Sequence, residues 1–229
     1  MIARTPPEPV LSVPAPPHGA HYSAAAERNR QPILDVLRQT LPAQGTALEI
    51  ASGTGQHTAW FAQGLPSWTW QPSDAQPDAF ASIRAWCAQA GVGNVRAPLL
   101  LDVLAPRWPA ELSAHREPFD ALFCANMLHI APWETCAALM QGAARHLAPH
   151  GLLIVYGPFI EREVPTSPGN LAFDASLRQR DPAWGIRRLG DVVDQATLAG
   201  LSLRQRVEMP ANNLLLVFAR TPGVQQTAP

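Results

Sequence analysis

Two glycines in the run Ala47-Leu-Glu-Ile-Ala-Ser-Gly-Thr-Gly-Gln-His57 mark the segment of this chain best suited to chemistry, because an apolar stretch breaks into them just before an amphipathic one. Gly53 and Gly55 let the main chain turn tightly and approach a ligand closely. In open α/β sheets such a strand-to-helix turn is where nucleotide-like ligands bind. Glu49 lies in the apolar run and Asp74 closes Trp68-Thr-Trp-Gln-Pro-Ser-Asp74, 21 residues after Gly53, and both carboxylates are suited to ribose hydroxyls. That offset fits the acidic residue that accepts bonds from ribose hydroxyls, since a carboxylate takes two donors at once. The plainer reading of Asp74 is a cap on the next helix, and that of the glycine turn is a tight loop without a ligand.

Two other glycine loops can be tested on the same residues. A dinucleotide fingerprint wants a third glycine where this chain has Thr58, and a phosphate loop ends in Gly-Lys-Ser/Thr, which a chain without lysine cannot supply. Both are disfavoured, and the turn is read as a site for S-adenosylmethionine, with Gly53 and Gly55 against the ligand and Glu49 and Asp74 beside its sugar. Asp102 follows Pro98-Leu-Leu-Leu101, where beside Val103 it could accept from an adenine amino group; a turn aspartate explains it nearly as well. Phe119-Asp-Ala-Leu-Phe-Cys-Ala-Asn-Met-Leu-His-Ile130 runs into Asn126 and His129, which would face the reactive methyl and the acceptor. His129 is a candidate general base, as is Tyr156 in Tyr156-Gly-Pro-Phe159; a bonded core histidine and a packed aromatic are the bland alternatives. Thr166–Asn170, Asp174, Arg178 and Arg180 suit a lid over the acceptor or, equally, a solvated helix.

The elements that must position these residues alternate, strand with helix, as βαβ units do. Strands are expected at Ala47–Ala51, Trp68–Ser73, Val95–Leu101, Phe119–Ala125, Gly151–Tyr156, Leu201–Met209 and Leu214–Ala219. Helical spacing links Phe80, Ile83, Cys87 and Ala90 before Gly91, and Trp133, Cys136, Met140, Ala143 and Leu147 before Pro149. Val192, Val193 and Ala196 mark a helix ending at Gly200, and Pro210–Asn213 a hairpin-like connection. Ahead of the first strand, Ile33, Leu34, Leu37 and Leu41 form a stripe with Pro32 as the expected first helical residue, which leaves Glu27-Arg28-Asn29 in the entry turn. The result is an α/β fold, a seven-stranded, mostly parallel sheet with one antiparallel strand and helices on both faces.

At 229 residues the chain can bury one sizeable core. A Pro/Ala-rich tail over residues 1–19, one domain over 20–220 and a flexible tail over 221–229 are expected. All 17 basic residues are arginine, scattered in a chain of net charge −1, so nucleic acid is not an expected partner. No apolar run approaches a membrane span. Cys87, Cys124 and Cys136 form neither a paired framework nor a metal motif, so no metal is expected and a reducing, cytoplasmic location is.

Several of these segments together resemble a family. Ala25-Ala-Glu-Arg-Asn-Arg-Gln-Pro-Ile-Leu34, Leu48–His57, Thr69–Asp74, Ala125–Ile130, Tyr156–Phe159 and Met209-Pro-Ala-Asn-Asn213 resemble class I S-adenosylmethionine-dependent methyltransferases, specifically the group of methyltransferase-like protein 26. The resemblance implies a Rossmann-like methyltransferase fold and a transferase whose acceptor is open, with Glu49, Ala51, Gly53, Asp74 and Asp102 lining the cofactor. It also implies that Arg28 and Asn29 fold over that cofactor, where an arginine could pair bidentately with its carboxylate. A small-molecule acceptor is expected. The rivals are a non-catalytic binding protein on the same fold and a nicotinamide-dependent reductase.

Overall fold

A computed structural model describes residues 16–109, 112 and 118–222; most of both expected tails lies outside the described residues. The first helix, α1 (Ala24–Thr40), starts eight residues before Pro32, because Ser23 caps it by accepting from the Ala26 amide at 3.2 Å. Pro32 therefore sits inside the helix, and Glu27, Arg28 and Asn29 ride on it instead of in an entry turn. The interior proline costs a hydrogen bond to the Arg28 carbonyl. Side-chain bonds from the first turns of α1 to the following helix help hold it in place, as described below.

Strands β1 (Gly45–Ile50), β2 (Trp68–Asp74), β3 (Leu99–Leu100), β4 (Phe119–Ala125), β5 (Leu147–Ile160), β6 (Arg187–Arg188), β7 (Leu201–Met209) and β8 (Asn213–Arg220) form one sheet. Its order is β3-β2-β1-β4-β5-β8-β7, with β6 paired to the far end of β5. All pairings are parallel except those of β8 with β5 and β7, so β8 is the one reversed strand. Two residues carry no periodic signal, which is why β6 escapes a reading by pattern.

The third expected strand is the main correction. Only Leu99 and Leu100 pair with β2, preceded by a single bridge from Val95 to Trp70. Between them Pro98 has no amide to give, and the Ala97 carbonyl accepts from the Gln71 side chain at 2.8 Å. Within that run only Leu101 is buried, and Leu100 at the sheet edge is 55% exposed.

Period-two alternation along the strands sorts side chains to two faces. Leu48, Leu122, Leu153, Val155, Leu214, Leu216 and Phe218 bury under α4 (Glu134–His146) and α6 (Leu189–Leu198). Their neighbours Ala47, Phe123, Ile154, Tyr156, Leu215 and Val217 bury under α1 and α2 (Gln56–Gly64). A smaller apolar group around Ile83 and Trp86 seats α3 (Ala79–Ala90), which stops at Gly91 in the left-handed conformation. A further helix, α5 (Pro168–Arg180), buries only Leu177. No described helix is long and apolar enough to cross a membrane.

Candidate functional site

The strand order reverses between β1 and β4, so the crevice beyond their carboxyl ends is the expected ligand site. Both strands leave into left-handed backbone carried by a residue other than glycine: Ala51 at φ 55° and Asn126 at φ 60°. Such conformations cost about 1 kcal/mol or more each and gather at functional sites.

The loop after β1 is stitched to the end of β2. Ser52 donates its amide to the Ser73 carbonyl at 2.9 Å, and the Ser73 hydroxyl donates to the Glu49 carbonyl at 2.7 Å. The Asp74 carboxylate accepts from the Gly53 amide at 2.8 Å and, through its other oxygen, from the Gln76 amide at 2.9 Å. Asp74 does not cap α3, whose N-cap is Asp78.

The two glycines do different work. A Cβ on Gly53 would meet nothing nearer than the Ala51 carbonyl oxygen at 4.0 Å, so this face of the loop is open to a ligand. A Cβ on Gly55 would lie 2.5 Å from the Ile83 Cα. Gly55 therefore permits α2 to pack on α3, and its side faces protein instead of the crevice.

Glu49 is 2% exposed, and its Oε2 accepts from Thr58 Oγ1 and Trp70 Nε1, each at 2.6 Å. That oxygen is turned into the protein, away from a sugar. Burial pushes its pKa up to about 7 against the pull of those two bonds. Thr58, the residue standing where a dinucleotide loop has its third glycine, is thus a ligand of the buried carboxyl.

Asp102 is exposed and its Oδ1 accepts from the Leu104 amide at 2.9 Å, the geometry of a turn aspartate. Val103 is buried in the core beneath α4, and its carbonyl accepts from Trp108 Nε1 at 3.3 Å.

From α1, Asn29 reaches between two elements. Its Oδ1 lies 2.6 Å from His57 Nε2, and its side chain is near enough to the Tyr156 hydroxyl to oppose the rise in that group's pKa. An amide oxygen only accepts, so His57 carries its proton on Nε2. Burial holds His57 down at about 4, so the ring is neutral at neutral pH. Tyr156 is 3% exposed and packs in the core under α1, with its pKa raised by burial. Arg28 is exposed near enough for its charge to act on the Tyr156 hydroxyl, and among the described residues it makes no ion pair. Gln56 completes the seam: its Oε1 accepts from the Ser23 amide at 2.6 Å and its Nε2 donates to Glu27 at 3.1 Å. These α1 partners carry no sequence signal beyond their polarity, because they are fixed by a helix pairing distant in the chain.

On the other side of the crevice, Asn126 donates its amide to the Tyr156 carbonyl at 2.8 Å and opens a short turn, Met127–His129. The His129 ring is 1% exposed and neither ring nitrogen has a partner. It packs edge-on against Phe159 and sits over Gly157, where a Cβ would collide with its Nε2 and come within 3.3 Å of Asn126 Oδ1. Burial, then the charge of Arg187, lowers its pKa to about 3. Among the described residues no three His, Cys, Asp or Glu side chains converge as a metal set.

Residues 20–220 match the model of a family described as protein of unknown function (DUF938). Solved structures similar to this chain include an O-methyltransferase family protein from Burkholderia thailandensis, with 19% identity over 87% of this chain and 58% of that one and a TM-score of 0.70. An O-methyltransferase family 2 protein from Planctomyces limnophilus, in complex with apigenin, shares 19% identity over 86% of this chain and 60% of its own, at a TM-score of 0.69. CalO1, a methyltransferase in calicheamicin biosynthesis in its SAH-bound form, shares 18% over 86% and 55%, at 0.68. The chain thus spans 55–60% of the length of these structures. The likeness establishes the Rossmann-like methyltransferase fold.

Proposed function

The chain belongs to the family described as protein of unknown function (DUF938), and on that premise and the fold we propose that it is an S-adenosylmethionine-dependent methyltransferase acting on a small-molecule acceptor. The observation that carries this reading is the Asp74–Gly53 clasp at the switch point, with the open side of Gly53 turned to the crevice. The residues fit the cofactor. Each Asp74 oxygen already holds one amide and keeps a further lone pair for vicinal sugar hydroxyls. Gly53 leaves room for a nucleoside against bare main chain. The free guanidinium of Arg28 is suited to the cofactor carboxylate, and Asn29 holds the α1 segment over the crevice. Ala51 and Asn126 lend main chain at the switch point. Asp102 and Val103 belong to the adenine end, where the Asp102 carboxylate keeps one oxygen beyond its turn bond. Glu49 and Gly55 support the loop from behind, through Thr58, Trp70 and Ile83.

When bound, the cofactor supplies an electrophilic methyl, and in-line alignment carries most of the rate. Asn126 and His129 flank the acceptor side. A neutral imidazole offers one donor and one acceptor nitrogen, and both are unspent. His129 is suited to orient an acceptor hydroxyl once its ring is uncovered, while its lowered pKa makes it a weak base, and Tyr156 forms part of the wall. We assign α5, with Leu171 and Phe173 56% and 41% exposed, as an apolar lid for the acceptor. Among the similar structures are a methyltransferase in calicheamicin biosynthesis, a mitomycin 7-O-methyltransferase and an O-methyltransferase family 2 protein in complex with apigenin, which supports a compact acceptor. The finer kinship with the methyltransferase-like protein 26 group, and a cytoplasmic setting, are part of the same proposal.

Isothermal titration with S-adenosylmethionine tests it: saturable heat is expected, weakened about tenfold or more by Asp74→Ala, which removes a charge-assisted acceptor. No heat from the wild type would end the reading. The depressed basicity of His129 and the raised pKa of the buried Tyr156 favour one rival, a cofactor-binding protein without turnover. Methyl release on any member of a broad acceptor panel excludes that rival.

A further inference from the structure

The strap from β5 to α6 is fixed at its two ends more than along its length. At its start the Ser167 amide donates to Asn212 Oδ1 at 2.9 Å, and Asn170 Nδ2 donates to the Asn212 carbonyl at 2.8 Å. In between, α5 buries one side chain. At its end stands Arg187, in β6. Its Nε donates to the Leu128 carbonyl at 2.8 Å, and its Nη2 donates to the Ala131 carbonyl at 2.6 Å and the Ala183 carbonyl at 2.8 Å. The guanidinium also lies over the Trp133 ring, 5.6 Å from its centre. No carboxylate among the described residues is in ion-pair contact with it; Asp174 is taken by Arg178 and by the Ile186 amide.

We propose that Arg187 is a positioning residue for the acceptor side of the crevice, fixing the Met127–His129 turn, and with it the His129 imidazole, through the main-chain carbonyls of Leu128 within that turn and Ala131 just after it. The inference rests on the reading above that His129 faces the acceptor. A short turn ends with carbonyls that have no partner within it. Leu128 and Ala131 flank His129 in the chain, and one planar fork satisfies both. The His129 carbonyl itself accepts from the Gly185 amide at 2.9 Å, two residues before Arg187. The strap thus grips three of the four residues from Leu128 to Ala131, leaving the ring between Gly157 and Phe159 with one place to stand. A load on α5 reaches His129 through this grip. The groups that face the ring electrostatically are Arg187 and Asp174, both on the strap side.

The test uses the full chain with labelled histidine ring nitrogens, His129→Asn serving to assign the His129 signals. In the wild type the ring stays neutral well below pH 6.5, because burial and the Arg187 charge hold its pKa near 3. Arg187→Ala is expected to move the His129 titration up toward 6.5 and to speed exchange of the Gly185 amide about tenfold or more, while β1 and β4 amides keep their protection. Arg187→Lys keeps the charge but not the fork, so exchange should rise with a smaller titration change. Restoration of wild-type behaviour by lysine on both readouts would overturn the proposal, as would an alanine variant that leaves both unchanged. If the alanine variant does not fold, the lysine variant decides alone. S-adenosylmethionine affinity is expected to stay within about twofold of wild type in both. A wild type that binds no S-adenosylmethionine sinks the proposed function, yet leaves the Arg187 readouts measurable.

Discussion

Replacing Glu49 by glutamine probes how the cofactor loop is held from behind. Burial raises the carboxyl from 4.5 to about 7, opposed by its bonds to Thr58 and Trp70. Between those values the folded protein keeps a proton on Glu49 that the unfolded chain has released, so stability falls as pH rises through the window. At about 1.4 kcal/mol per pH unit, the interval from 4.5 to about 7 corresponds to roughly 3 kcal/mol. Glutamine does not titrate, and its carbonyl can still accept from both donors. The stability difference between wild type and Glu49→Gln should therefore move by roughly 3 kcal/mol in favour of the variant between about pH 4.5 and about pH 8. Urea unfolding across that range measures it. His57 and His129 act in the opposite direction: their pKa values fall from 6.5 to about 4 and about 3, so they add stability as pH rises toward 6.5. Both proteins share that effect, and it cancels in the difference. A difference that stays flat with pH would refute the argument, because Glu49 would then be as free to ionise in the fold as in the unfolded chain.

The two glycines should separate stability from binding. Gly55→Ala meets the Ile83 backbone and a φ of 84°, and is expected to cost about 3 kcal/mol or more in thermal unfolding. Gly53→Ala has space but a φ of 53°, so it should cost about 1 kcal/mol of stability and lose more in S-adenosylmethionine affinity, read by titration calorimetry. Burial pushes the Cys87 and Cys136 thiols up to about 12 and Cys124 higher still. An aromatic disulfide reagent should therefore label the three only as fast as the protein opens, and rapid labelling in native buffer would contradict their packing.

What the sequence determined is whatever a local period can encode. Alternation at Leu122-Phe-Cys124 and Leu153-Ile-Val-Tyr156 assigns neighbouring side chains to opposite faces of the sheet, and the glycine turn after Ile50 places the crevice. Asp74 is legible as the acidic end of a strand, and the structure joins it to the Gly53 amide. Tertiary structure decided the rest. Glu49 looks like a sugar ligand until Thr58 and Trp70, 9 and 21 residues away, claim its oxygen. Asn29 looks like part of an entry turn until Ser23 starts the helix early and brings it to His57. Arg187 carries no pattern, because its partners lie 56 and 59 residues back on another strand's exit. A side chain's surroundings, and so its charge and its partners, depend on groups brought close only when the sheet has assembled; the strand period needs nothing but its own neighbours.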